Sequence, residues 1–195
     1  MSTKTKSGLL PILIIGGIVI ATTQTDIGQE VLDLIGIGES EAGGILVPPA
    51  FRDRVKECAP EQLTKDRRCE DLPVVPIDAE KMPHIARHIS MAWSSGQSAL
   101  LHYEVDQKTR DANNRAVCTP ARLAELKPLS CDEYPFKSAK EGGAGASTQG
   151  VPIIEQNRQG GAIGRAYTVN QLQDGDEFLV VIINPDKIAT GEFEG

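Results

Sequence analysis

The residues best suited to chemistry in this 195-residue chain fall between Arg115 and Arg165. Asp132 and Glu133 are adjacent, follow Cys131 and precede Tyr134-Pro135-Phe136. Proline restricts the residue before it, so this segment is expected to be extended. Neighbouring side chains in a strand point to opposite faces, so only one of the two carboxylates should face a given site. Next comes Glu141-Gly142-Gly143-Ala144-Gly145-Ala146, a glycine-rich loop without the GxxxxGK[ST] order of a phosphate-binding loop. No nucleotide cofactor is therefore expected, and the loop should serve close backbone packing. Asn157-Arg158 then precedes Gly160-Gly161. Carboxylates, an amide and arginines suit metal-assisted hydrolysis of a phosphodiester. Their oxygens are ligands for a hard cation, Mg2+ or Mn2+. The cation polarises the phosphoryl group, a base deprotonates water, and arginine stabilises the developing charge.

The three histidines are weaker candidates. His84 and His88 are spaced i, i+4, but HIARH lacks the glutamate of a zincin. One of them should be packed or hydrogen-bonded and the other solvated. His102, in a strand, is an alternative base. Glu104 and Asp106 read as solvated residues at that strand's end.

The order CDEYPF, EGGAGA, then NR followed by a glycine pair resembles the NucA/NucB deoxyribonucleases, which carry DEWP-like, EGG-A-GA and DNRGAG-like segments in that order. His88-Ile89, Ala92 and Gly96 resemble the HI…A…G helix of the family, and Asp174-Gly175 with Phe178–Ile183 its DG turn and closing strand. The resemblance runs from about Leu72 to Ile183 and implies a ββα-metal nuclease site acting on DNA. In such a site an acidic residue takes the place of a histidine base and a helix residue binds the metal. Carried across by motif, Asp132 is the base and Asn157 a metal ligand. Glu133, Glu141 and Arg158 support them, with Glu141 a second candidate ligand and Arg115 a phosphate contact. Three features depart from the family pattern. Tyr134 stands for the usual Trp, Gln156 for the Asp before Asn-Arg, and the stretch from Gly164 to Gln173 is long.

These residues need a scaffold, and the patterning predicts an α+β domain with a small antiparallel sheet and packed helices over 72–195. Leu72–Ile77 reads as an edge strand because of Pro73 and Pro76. Pro83 opens a helix with Ile85, Ile89 and Trp93 on one face, stopped at Gly96. Ala99–Val105 is a strand, Arg122–Leu126 a short helix, and Phe178–Ile183 a buried strand after the Asp174-Gly175 turn. Residues 22–71 read as a lead-in, with an amphipathic helix around Ile27, Val31, Leu34 and Ile35.

Lys4 and Lys6 precede the apolar run Leu9–Ala21, which is short for a membrane span. Residues 1–21 are thus expected to be a secretory signal or an uncleaved anchor attaching the chain to the outer face of the membrane. The four cysteines agree with an extracellular location: Cys58 with Cys69, and Cys118 with Cys131, are expected to form disulfides. A net charge of −7 argues against broad electrostatic binding of nucleic acid, though not against a site whose metal and arginines act locally. The reading that follows is an exported nuclease with little sequence preference. Its rivals are a disulfide-bonded binding module and a nuclease toxin of the same fold.

Overall fold

The computed structural model describes residues 44–195. The signal or anchor segment and the helix expected around Ile27–Ile35 lie outside the described residues. Strand β7 (Glu177–Ile183) is the axis of the fold, and six of its seven residues are buried, as an apolar FLVVII run requires. It pairs in parallel with β3 (Leu72–Asp78) and antiparallel with β1 (Ile45–Leu46) and β4 (Leu100–His102). The α+β class is as expected, while the parallel β3–β7 pair makes the main sheet mixed rather than wholly antiparallel.

β3 departs from the edge-strand expectation only at its start. Strand β2 (Arg68–Cys69) pairs with Leu72 and Pro73, and from Val74 to Asp78 the paired strand is β7 alone. Backbone N–H groups alternate sides along a strand, and the Val74 N–H reaches the Arg67 carbonyl at 2.8 Å, on the β2 side. Pro76 therefore turns its missing N–H to that same side, past the end of β2, where no ladder bond is lost. The lead-in also contributes to the core: Ile45, Leu46, Val47, Val55 and Leu63 are all buried in it. Helix α1 (Pro60–Asp66) carries Leu63, and the expected Cys58–Cys69 disulfide closes this region with a Cα–Cα distance of 5.8 Å.

Helix α2 (Pro83–Ser94) starts at Pro83 and buries Ile85, Ile89 and Trp93, as the spacing predicts. It packs on β3 and on a second sheet, the antiparallel hairpin of β5 (Ser130–Tyr134) and β6 (Ser147–Val151). Between β4 and β5 come α3 (Gln107–Val117) and α4 (Pro120–Leu126), and β6 leads into α5 (Ile153–Asn170). Asp106 caps α3 by accepting from the Thr109 N–H at 2.8 Å. None of α3's own residues is buried. Among the described residues, no helix is long and apolar enough to cross a membrane.

Candidate active site

β5 separates its two carboxylates by face, as the strand period demands. Asp132, the expected base, points toward α2 and is fully buried. Its Oδ2 lies 2.7 Å from His88 Nδ1, and His88 Nε2 lies 3.0 Å from Ser147 Oγ. Asp132 Oδ1 is buried without a partner. On the same face, Tyr134 accepts from Trp93 Nε1–H at 2.8 Å and donates to the Ser98 carbonyl at 2.8 Å. This face of the hairpin is an interior.

Glu133 points the other way, into a cleft of about 310 Å3 between α3 and α5. Gln107 and Arg110 of α3, Lys137, and Gln156, Gln159, Gly160 and Gly164 of α5 line it with Glu133. Burial raises the Glu133 pKa above the ordinary carboxylate range, and the neighbouring Asp132 charge adds to the rise; the Asn114 side chain opposes it. Asn114 donates to Glu133 Oε1 at 3.2 Å. Arg110 is held by its Nε–H donating to the Glu104 carbonyl at 2.7 Å, with its guanidinium 5.0 Å from the centre of the Tyr103 ring.

The Cys118–Cys131 disulfide joins the end of α3 to β5, beside both carboxylates, with a Cα–Cα distance of 6.0 Å. A loop of this length contributes roughly 3 kcal/mol by the chain-entropy estimate. Reduction is expected to lower any activity of the cleft more than it lowers helical circular dichroism. Equal loss of both signals would show that the bond supports the fold alone.

The other expected site residues are dispersed. Asn157 is exposed on α5 beside Gln156 and is not among the residues that line the cleft. Arg158 is exposed and donates to the Lys81 carbonyl at 2.7 Å. Arg115 is exposed on α3; helical geometry turns it about 100° from Asn114. Arg110 takes the place by the cleft that Arg115 was expected to hold. Glu141 accepts from the His102 N–H and pairs with His102 Nδ1, so neither residue lines the cleft. That pairing raises the His102 pKa. His84 is not solvated as expected: its Nδ1 lies 2.7 Å from Glu155, which also accepts the His84 and Ile85 N–H groups at the start of α2. The glycine loop packs closely, as expected. A Cβ on Gly142 would strike the Phe136 carbonyl, and one on Gly143, whose φ is +92°, would lie 2.7 Å from Asn113 Oδ1.

Arg110, Gln107 and Asn114 were missed because α3 was missed. Their i, i+3, i+7 spacing was available in the sequence, but it marks a polar face and no apolar stripe accompanies it. The family model for Deoxyribonuclease NucA/NucB matches residues 89–181, a span that holds both hairpin strands, α3, α5 and the cleft between the helices. No curated protein matches the chain. Over residues 89–181 the chain is thus similar to the NucA/NucB deoxyribonucleases.

Proposed function

We propose that the chain is an exported, divalent-metal-dependent endonuclease that hydrolyses DNA phosphodiesters with little sequence preference, and that its reaction takes place in the cleft Glu133 faces. The observation that carries this reading is the meeting of a carboxylate of raised pKa with Arg110 and Lys137 in one cleft, within the family-matched span. A carboxylate whose pKa is raised is, in its ionised form, a better proton acceptor than an ordinary one. Glu133 takes the proton of the attacking water, and the two cations stabilise charge on the phosphoryl oxygens. Asp132, closed against His88, positions the strand that presents Glu133.

The donor set suits a hard cation. Gln156 lines the cleft, and its Oε1 is buried without a hydrogen-bond partner. That amide oxygen would hold Mg2+ or Mn2+ with water and substrate oxygens completing the shell, and Asn157, the next residue of α5, is the ligand that the family resemblance adds. A bound cation supplies Lewis-acid polarisation of the phosphoryl group. Export rests on the two disulfides and on the signal-like residues 1–21. Phosphate-directed contacts carry no base information, which fits low sequence preference.

A plasmid-nicking assay with excess EDTA and metal add-back tests the reading. Nicking should vanish with EDTA and return with Mg2+ or Mn2+. Undiminished nicking in EDTA would remove the metal, and absence of nicking under every metal condition would favour a binding module of the same fold.

A further inference from the structure

Three arginines outside the cleft gather toward the far end of α5. Arg67 follows α1 in the left-handed conformation, with φ of +56°, and Arg68 begins β2. Asn170, the last residue of α5, clamps both. Its Nδ2–H donates to the Arg67 carbonyl at 2.7 Å, and its Oδ1 accepts from Arg68 Nε–H at 3.0 Å. Arg165 is exposed on α5. Burial lowers the Arg67 pKa and the Arg165 charge lowers it further, so the two guanidiniums lie near enough to repel. Both stay charged at any physiological pH.

Among the described residues no carboxylate pairs with Arg67, Arg68 or Arg165, although the chain carries a net charge of −7. Asp66 and Glu70 flank the first two in sequence without pairing with either. The sole acid of α5, Glu155, is committed to the start of α2. Arg67 Nε is buried without a partner, whereas its two terminal nitrogens are neither bonded nor closed off from solvent. Arg165 makes no hydrogen bond at all. Arg158, two turns earlier on α5, falls within about 20° of Arg165 around the helix and about 10 Å from it along the axis. It is exposed, spends an N–H on the Lys81 carbonyl and has no ion pair.

We propose that Arg67 and Arg165, with Arg158 two turns away on the same face of α5, bind backbone phosphates of a DNA duplex outside the cleft. This rests on the nuclease reading and extends it to how the duplex is held. A guanidinium matches phosphate oxygens with paired N–H donors, and an anion between Arg67 and Arg165 relieves their repulsion. Arg165 follows Gly164, which lines the cleft, and a helix is only about 10–12 Å across, so a duplex engaged at the cleft spans it. Arg67 and Arg68 precede residues 89–181, which makes the site a feature of this chain beyond the family match. An anionic membrane is a poorer occupant. It wants a continuous apolar face, and here the exposed Ile154 and Val169 stand at opposite ends of the helix with Gly161 and Ala162 between them.

The test measures binding of the full chain to a labelled duplex by fluorescence anisotropy in EDTA, across a salt titration. Arg165→Gln is the main variant, since that side chain holds nothing in the fold; Arg165→Glu reverses its charge. Lys127→Gln removes an equal charge from the exposed end of α4 as a control. Loss of one phosphate contact should lower the slope of log K against log salt by about 0.9. Kd should rise about tenfold with Arg165→Gln and further with Arg165→Glu. The Tm of Arg165→Gln should stay level or rise, because Arg67 loses a repulsive neighbour. Cleavage at saturating DNA should keep its rate while KM rises. Unchanged slope and Kd overturn the site while leaving the nuclease reading in place, and so does an equal effect from Lys127→Gln. Two further results overturn the DNA assignment. One is stabilisation of the parent by inorganic phosphate that Arg165→Gln loses while duplex Kd stays put, which marks a free-anion site. The other is binding of phosphatidylserine vesicles in preference to duplex. A parent chain that neither binds duplex nor nicks plasmid overturns both readings.

Discussion

Glu133→Gln is expected to reduce DNA cleavage by about 10²–10⁴-fold, the usual worth of a general base, while the protein stays folded. The substitution keeps size and hydrogen-bonding shape, so Asn114 retains a side-chain oxygen to donate to. The sign of the stability effect is also fixed. Burial and Asp132 raise the folded-state pKa of Glu133, so its contribution to stability is fully present below the unfolded-state pKa. That contribution is lost as pH rises through the folded value. Above the folded value ionised Glu133 is therefore a cost, and there the glutamine variant should melt no lower than the parent. The activity of the parent should fall on the acid side at a pH above that of an ordinary glutamate. Single-turnover cleavage by Glu133→Gln, Asp132→Asn and His102→Ala, each across a metal titration, decides the assignment. If Asp132→Asn collapses with its fold intact while Glu133→Gln stays within a few-fold of the parent, the base is Asp132. A dead His102→Ala beside two active acid variants would move it to the histidine.

The largest loss of stability is expected at His88. Alanine there removes both the imidazole facing Asp132 Oδ2 and the contact to Ser147, leaving a fully buried carboxylate whose other oxygen already lacks a partner. Breaking a buried charged pair from one side typically costs about 3–5 kcal/mol, a large share of the stability of an ordinary domain. Asp132→Asn should cost less, since an amide needs less solvation than a carboxylate and still offers an oxygen to the ring. Urea unfolding of the two variants measures the difference. A His88→Ala loss of less than about 1 kcal/mol, below the range cited for such pairs, would show that the pair is not what joins α2 to the hairpin.

The apolar half of the fold was legible in the sequence, and the polar half was not. β7 and α2 bury whole runs or stripes, so period and composition announce them. α3 buries none of its residues, and α5 has glycines where a helix former would be expected, so neither carries the pattern by which helices are recognised. These two helices are the walls of the cleft. Strand alternation shows that Asp132 and Glu133 face opposite ways, but which face is a cleft depends on where α3 and α5 pack. That is a tertiary fact, and the proposal of Glu133 rather than Asp132 as base rests on it. Both disulfide pairings were readable because each joins cysteines near in sequence. The parallel β3–β7 pairing was not, since the two strands are about a hundred residues apart and neither dictates its partner.

The way α3 is fastened has a consequence for the order in which the molecule is completed. A helix without an apolar face gains little from the core it leans on, so its attachment falls to the covalent link at Cys118 and to polar contacts through Arg110, Asn113 and Asn114. In a reducing compartment the covalent link is missing, and local opening of that wall need not await global unfolding. The main sheet, held by β7, can then be complete while the cleft lacks one side. Oxidation of one thiol pair closes the wall, and it does so only where such bonds persist. On the proposed reading of an exported nuclease, the DNA-cutting cleft is thereby completed last, outside the cell that made it.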